Sequence, residues 1–102
     1  MASRKKADQI IDDAQKACGC LKGIVHPVRI MILNLLRGGP MSVGELENEL
    51  EMVKQSNLSQ HLNQMRISGV LKSERDGSRI YYSAADPRIF KFIDLMKEIF
   101  CK

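Results

Sequence analysis

Apolar residues recur at helical spacing in five stretches of this 102-residue chain, and two shorter stretches near its middle alternate like strands. The predicted helices are Ala7–Val25, Pro27 to about Arg37, Ser42 to about Glu51, Gln55–Ser68 and a last helix from Asp86–Pro87 to about Phe100. The predicted strands are Val70–Arg75 and Arg79–Ser83. The pattern therefore predicts one domain over residues 1–102, mainly α with a small β-hairpin, after a mobile basic N-terminus at residues 1–6.

Local signals set several of these boundaries. Ser42-Val43-Gly44-Glu45 has capping-box spacing, which predicts a helix that begins there. Pro27 suits a first helical position, and Asp86-Pro87 provides an N-cap followed by such a proline. The two central helices with the turn between them, followed by a hairpin, predict a winged helix-turn-helix of five helices plus a two-stranded wing.

The fourth helix divides into two chemically different faces. Leu58, Leu62 and Met65 fall on one side. The other side carries hydroxyls and amides but almost no charge, where an ordinary solvated face would be richer in Glu and Lys. Gln and Asn can bond adenine bidentately, and Ser can bond several base edges. The side chains predicted to read DNA are Gln55, Ser56, Ser59, Gln60 and Asn63. The alternative is a plain polar surface.

Basic residues surround the predicted hairpin. Arg75 and Arg79 flank the loop Asp76-Gly77-Ser78, and Lys72 lies behind it. In a wing these three side chains are expected to reach phosphates or the minor groove beside the recognition helix. The alternative is a hairpin whose charges only improve solubility.

The first and last helices each carry an apolar stripe, and a chain this short has little left to cover both. This favours a two-fold homodimer built on these helices. Such a dimer places two recognition helices about one DNA turn apart. The predicted interface residues are Ile10, Ala14, Leu21, Ile89, Phe92, Ile93, Met96 and Phe100.

Composition supports a nucleic-acid partner and argues against other classes. Sixteen Lys and Arg against twelve Asp and Glu give a net charge of +4, which favours an anionic partner. Aromatic residues make up 5% of the chain and Trp is absent, which argues against single-strand binding by base stacking. No membrane-spanning run, secretory signal, phosphate loop or catalytic constellation is visible. We therefore expect a cytoplasmic protein that is not an enzyme, has no cofactor and does not contact a membrane.

Four segments together resemble the ArsR/SmtB family of bacterial winged-helix repressors. They are LKGIVHPVRIMILNLL, SVGELENEL, QSNLSQHLNQMRISGVL and RDGSRIYYS, and the resemblance covers roughly residues 17–101. It implies a homodimer that binds double-stranded operator DNA, represses promoters and releases them on sensing a metal, a metalloid or a thiol-reactive signal.

The sensor sites of that family are only partly matched. The segment GELENEL lacks the cysteines of a helix-three site, and the last helix lacks histidine ligands. We interpret the two histidines, His26 and His61, as structural. The end MKEIFCK is similar to the thiol-sensing BigR/HlyU/SqrR branch, which pairs a C-terminal cysteine, here Cys101, with one on the second helix, where this chain has Asn34.

The remaining cysteines are Cys18 and Cys20, which point about 200° apart on a regular helix unless Gly19 loosens it. One hypothesis is redox or reactive-sulfur sensing, in which Cys101 bridges to Cys18 or Cys20. A second is a three-cysteine site for As(III) or Sb(III) as inducer. A third is that the cysteines are small buried hydrophobes. The expected function is a sequence-specific repressor released by a thiol-reactive signal; the alternatives are an As(III)/Sb(III)-responsive repressor and a nonspecific architectural DNA-binding protein.

Overall fold

The computed structural model describes the backbone of residues 2–101 and the side chains of residues 6–101. Over this range the elements are α1 (Ala2–Lys22), α2 (Pro27–Leu35), a 3₁₀ turn (Leu36–Gly38), β1 (Met41–Ser42), α3 (Val43–Glu49), α4 (Gln55–Ile67), β2 (Leu71–Asp76), β3 (Arg79–Ala84) and α5 (Arg88–Phe100). The predicted five helices and two-stranded wing, formed by β2 and β3, are confirmed.

Several boundaries differ from the sequence prediction, and α5 begins at Arg88 with Pro87, rather than Asp86, as its N-cap. α1 begins at Ala2 rather than Ala7, so residues 2–6, predicted as a mobile N-terminus, belong to the helix. α2 ends at Leu35, because the chain tightens into the 3₁₀ turn before Gly39 takes a positive φ of 127°. The two-residue strand β1 was not predicted; Met41 pairs with Tyr82 and Ser42 with Tyr81, so β1 adds a third strand beside β3.

The core lies between α2, α3, α4, the start of β2 and one side of α5. The predicted central helix α2 contributes Ile32 and Leu33, both fully buried. The buried hydrophobic residues are Ile24, Ile32, Leu33, Leu36, Leu46, Leu50, Leu58, Leu62, Met65, Val70, Leu71 and Ile93. None of the described side chains of α1, residues 6–22, is in this set, and all of them are exposed. The apolar stripe of α1 is therefore left uncovered by the protomer.

The predicted capping box fixes the start of α3. Ser42 Oγ accepts from the backbone N–H of Glu45, and Glu45 Oε1 accepts from the backbone N–H of Ser42, each at 3.1 Å. The hydrogen bond from the Ser42 backbone N–H lowers the pKa of the Glu45 carboxyl, because it favours the ionised form. Since Ser42 also pairs with Tyr81 in the sheet, the box ties the helix-turn-helix to the wing.

The end of α1 packs closely on the turn that follows α4. A Cβ placed on Gly23 lies 2.7 Å from Ser68 Cβ and 2.8 Å from Val70 Cγ2. Both distances are shorter than ordinary van der Waals contact, so only glycine fits at this position without moving the turn.

We expect Gly23→Ala to lower the free energy of unfolding by about 1–3 kcal/mol, the usual cost of overpacking. Gly19→Ala is the matched control, because a Cβ on Gly19 meets nothing within 4 Å. It should stabilise the protein by about 0.5–1 kcal/mol, since alanine favours helix over glycine. Urea unfolding measures both changes, and equal changes of the same sign would show that the Gly23 contact is absent.

Candidate nucleic-acid interface

The recognition helix α4 is oriented by its apolar face. Leu58 and Leu62 are each 1% exposed and Met65 is fully buried, so this face is fixed against the core. The opposite face points to solvent. All five predicted base-reading side chains lie exposed on α4, at Gln55, Ser56, Ser59, Gln60 and Asn63. Their contact with bases stays a prediction.

Two of these five side chains are engaged within the protomer. Gln55 Nε2 donates to Glu47 Oε2 at 3.0 Å, which links the first turn of α4 to α3. Asn63 Oδ1 accepts from Arg66 at 2.8 Å. Ser56, Ser59 and Gln60 form no side-chain hydrogen bond with any part of the chain that the structure describes. These three are therefore the side chains of the predicted set that are free to bind an external partner.

Arg66 is a candidate that the sequence interpretation missed. It lies one turn beyond Asn63 on the same side of α4 and is exposed. Its position three residues after a predicted reader is a signal that helical periodicity already contains. At the other end of α4, Lys54 is the N-cap and makes no side-chain cap. The N–H groups of the first turn and two basic side chains are therefore available to phosphates on this surface.

The wing turns tightly at Gly77 and Ser78. Asp76 pairs with Arg79 and Arg75 with Ile80, so two residues rather than the predicted three make the loop. Gly77 has a φ of +64°, and no residue other than glycine has a positive φ in residues 2–101. A positive φ at the first loop position alone is the type II′ pattern, whose twist matches that of the strands.

The three basic residues of the wing do not form one patch. Cross-strand pairs share a face and neighbours along a strand alternate, so Arg75 and Arg79 lie on opposite faces of the hairpin. Arg79 lines a cleft of about 630 Å³ between the wing tip and α3, beside Glu45 and Asn48. Lys72 lines a different groove, together with Arg37 and Phe90, among others.

The ring of His61 on the recognition helix contacts the ring of His26, the N-cap of α2. Their ring centroids are 4.4 Å apart. His26 Nδ1 accepts from the backbone N–H of Val28 at 3.1 Å and so caps α2. His61 Nδ1 accepts from Arg29 Nε at 3.1 Å, and Arg29 also donates through Nη1 to the carbonyl of Lys22. Partial burial lowers the pKa of His61, and the nearby charges of His26 and Arg29 lower it further.

A second arginine orients α5. Arg37, in the 3₁₀ turn after α2, donates to both oxygens of Asp94, at 2.6 and 3.1 Å, and to Asn34 Oδ1 at 3.0 Å. Its guanidinium also lies 5.4 Å from the centre of the Phe90 ring. The hydrogen bond from Arg37 lowers the pKa of Asp94. An exposed ion pair adds little stability, but the bidentate geometry fixes the direction of α5 relative to α2.

The apolar stripe of α5 is rotated from its predicted position. Ile93, predicted at a dimer interface, is fully buried in the protomer core, so that prediction is wrong. Ile89 packs partly against the same core. Leu95 and Ile99, which were not predicted, are 53% and 54% exposed. The outward apolar stripe is therefore the exposed residues Phe92, Leu95, Ile99 and Phe100 with the half-buried Met96 between them, which follows the i, i+3, i+4, i+7, i+8 spacing.

The predicted sensing cysteines form no disulfide within the protomer. Cys18, Cys20 and Cys101 are all free and exposed, so the protomer itself buries none of them. α1 stays helical through Gly19, so Cys18 and Cys20 project about 200° apart. In residues 2–101 no three Cys, His, Asp or Glu side chains are grouped closely enough to hold a metal ion.

Cys20 lies at the junction of the two terminal helices. It lines an apolar groove of about 290 Å³ with Leu21, Ile24, Ile89 and Phe92. Two of these residues, Leu21 and Phe92, also belong to the exposed stripes of α1 and α5.

No single helix of the described chain is long and apolar enough to cross a membrane; α1 and α2 reach that length only together, across a bend of 72°.

Comparison with known proteins finds the same architecture elsewhere. The profile of bacterial regulatory proteins of the arsR family matches residues 26–73, from His26 to Ser73 in β2. The HTH-type transcriptional regulator YgaV of Escherichia coli is 37% identical over 94 residues, which cover 91% of this chain and 94% of YgaV. The biofilm growth-associated repressor of Agrobacterium fabrum is 37% identical over 81 residues, 79% of this chain and 68% of that protein.

A solved structure agrees in three dimensions. The crystal structure of NolR from Sinorhizobium fredii superimposes with a TM-score of 0.79 at 34% identity, covering 90% of this chain and 91% of NolR. Helix-turn-helix, wing and flanking helices are thus shared along nearly the whole length, and the chain belongs to the ArsR family of bacterial regulatory proteins.

Proposed function

We propose that this protein is a homodimeric transcriptional repressor that binds specific operator DNA and releases it when a thiol-reactive signal modifies its cysteines. One observation carries the DNA-binding half of the proposal. The exposed face of α4 presents Ser56, Ser59 and Gln60, uncharged donors and acceptors that have no partner in the described chain. Two relatives, a transcriptional regulator and a repressor, support the same assignment.

Base reading on this surface follows from helix geometry. An α-helix fits the major groove, and its exposed side chains then reach base edges. Gln60 is central on the outer face of α4, and its amide can bond adenine through two hydrogen bonds. Ser59 and Ser56 flank it on the same face and offer hydroxyls that accept or donate.

Contacts to DNA phosphates orient the protein on the duplex. Arg66 lies on the same side of α4 as the reading residues, and the N–H groups at the uncapped N-terminus of that helix are available to a phosphate. Arg75 and Arg79 leave the hairpin on opposite faces, so a wing tip placed over the minor groove reaches a strand with each of them. The net charge of +4 adds a long-range attraction that depends on salt.

Dimerisation explains the two uncovered stripes. Ile10 on α1 is 64% exposed and Phe100 on α5 is 78% exposed, although both are large and apolar. A second copy related by a two-fold axis covers both stripes at once and places the recognition helices in successive grooves. Contiguous exposed apolar surface of this kind marks an interface.

The proposed signal acts on the dimer interface and not on the DNA-binding surface. Cys18 and Cys20 lie on α1 and Cys101 at the end of α5, so a bridge between these helices changes the dimer geometry without touching the recognition helix. In the redox form of the proposal, two thiols lose two protons and two electrons to a polysulfide S–S bond, forming a disulfide and shortened sulfide products. A hundredfold loss of affinity needs only about 2.7 kcal/mol of differential stability.

Arsenite is the alternative inducer. Three thiolates without imidazole or carboxylate suit As(III) or Sb(III). Since the three cysteines are not grouped within one protomer, such a site needs sulfur atoms from two copies of the chain or a large local rearrangement.

Gln60→Ala tests base reading. We expect about 1–3 kcal/mol weaker binding per symmetric contact to a duplex selected by the protein from a random pool, and little change on unselected DNA. Gln15→Ala, which removes the same exposed amide from α1, is the control and should bind both duplexes as wild type does. Fluorescence anisotropy gives both affinities. Equal losses on the two duplexes would instead support a nonspecific architectural DNA-binding protein.

Leu95→Glu tests the dimer seam. Leu95 is half exposed in the protomer, so the change should leave the fold intact but bury an unpaired charge in the dimer at a cost of several kcal/mol. Light scattering should show a folded monomer with weak operator binding. Lys97→Glu, which changes an exposed residue roughly opposite Leu95 on α5, should remain dimeric. A dimeric Leu95→Glu protein would place the interface elsewhere.

Cys101→Ser tests the sensing half of the proposal. The reduced variant should bind the selected duplex as wild type does, yet stay bound when polysulfide or arsenite is added, because the bridge between the terminal helices needs the Cys101 thiol. The same titration of Cys18→Ser and Cys20→Ser identifies the partner: loss of response in one variant indicates a two-sulfur bridge, and loss in both a shared site. Normal release of Cys101→Ser by both inducers would disprove thiol sensing through this residue.

A further inference from the structure

The guanidinium group of Arg29 connects α1, α2 and α4, which have different roles in the proposed function. Arg29 lies in the first turn of α2 and is half-buried. Its Nη1 donates to the carbonyl of Lys22, the last residue of α1, while its Nε donates to Nδ1 of His61 on the recognition helix at 3.1 Å. The planar fork of arginine holds both acceptors in fixed directions, which a lysine ammonium cannot do.

A second contact joins the same two helices nearby. Gly23, directly after α1, approaches so closely that an added Cβ lies 2.7 Å from Ser68 Cβ, and Ser68 is the C-cap of α4. The recognition helix is therefore held against the end of α1 at its middle, through His61 and Arg29, and at its end, through Ser68. A displacement of the end of α1 therefore acts directly on α4, which carries the reading face.

The hydrogen bond at His61 exists only for a neutral ring. Nδ1 of His61 accepts from Arg29, so its proton is on Nε2. Nδ1 of His26 likewise accepts, from the backbone N–H of Val28. Protonation of His61 puts a hydrogen on its Nδ1, removes the acceptor of the Arg29 hydrogen bond and places a positive charge beside that guanidinium, with the centroid of the His26 ring 4.4 Å away.

No carboxylate of the described chain offsets this charge. The groups that act electrostatically on His61 are His26 and Arg29, both from α2 and its N-cap, and both are cationic when charged. Together with burial they lower the pKa of His61. The neutral, hydrogen-bonded ring is thus the form that the fold favours.

We propose that Arg29 is a positioning residue that couples the end of α1 to the recognition helix through His61, and that this coupling fails in acid, when His61 is protonated. The proposal rests on the proposed DNA-binding function and adds a route from α1, which carries Cys18 and Cys20, to α4. Its consequence is that operator recognition depends on pH.

The sign of the pH dependence follows from the lowered pKa of His61. A histidine whose folded pKa lies below its ordinary value of 6.5 adds stability above that value, and this stability is lost as the pH falls through the folded pKa. Added positive charge by itself strengthens DNA binding at low pH. Acid should therefore weaken binding to the selected duplex while binding to random DNA stays level or strengthens.

Arg29→Lys separates position from charge at about pH 7.5, where His61 is neutral. We expect about a tenfold loss on the selected duplex and a smaller loss on random DNA, because the charge is kept and the fork is lost. Arg88→Lys is the matched control, since Arg88 pairs only locally with Asp86 on the exposed start of α5. Equal affinities for Arg29→Lys and wild type on the selected duplex would overturn the positioning role.

His61→Gln tests the acid lability and does not depend on the Arg29 variant. The ratio of selected to random affinity is measured from about pH 5.5 to 7.5. Wild type should lose about tenfold in this ratio toward acid, and His61→Gln, whose amide oxygen accepts without titrating, should give a nearly flat profile. A wild-type profile that is flat, or a His61→Gln profile that falls as steeply as wild type, would overturn the proposal.

A double-mutant cycle completes the test. If Arg29 acts through His61, Arg29→Lys combined with His61→Ala, which removes the acceptor, should lose less than the product of the two single losses on the selected duplex; independent losses would contradict the link. Circular dichroism at each pH shows whether a loss comes from unfolding. Failure of the wild type to prefer any selected duplex at pH 7.5 would instead refute the proposed function itself, so the two failures are distinguishable.

Discussion

The burial of one face of α4 decides which of its side chains can meet a partner. Leu58, Leu62 and Met65 enter the same core as Ile32 and Leu33 of α2. Each fully buried side chain of this size contributes about 1.5–3 kcal/mol, so turning the helix about its axis would expose several times that amount. The hydroxyls and amides on the opposite face are thereby held outward without any specific contact of their own.

Polar contacts fix the directions of the terminal helices relative to this core. α2 is the centre of the core, and an arginine near each end of it reaches outward: Arg29 to the end of α1 and to His61, and Arg37 to Asp94 on α5. Exposed or half-exposed pairs of this kind contribute little to stability. Their value lies in geometry, because each fixes a terminal helix relative to the helix-turn-helix.

This arrangement suits a protein whose reading and sensing surfaces lie on different elements. The proposed reading surface is on α4 and the wing, whereas Cys18, Cys20 and Cys101 lie on α1 and α5. A change between the terminal helices can affect α4 through α2, by way of the two arginines, or directly through the Gly23–Ser68 contact. These contacts are the physical links along those paths.

The sequence by itself determined the five helices, the hairpin, the capping box at Ser42 and the polar face of α4, because these depend on periodicity and on partners within a few residues. The tertiary structure alone decided that Ile93 belongs to the core, that Arg75 and Arg79 lie on opposite faces of the wing, and that Met41 and Ser42 pair with β3. It also brought Arg29 to a histidine 32 positions away and Arg37 to an aspartate 57 positions away. Helical spacing marks a stripe as apolar but not which edge of it meets the protomer's own core, and contacts over such separations depend on how the elements pack.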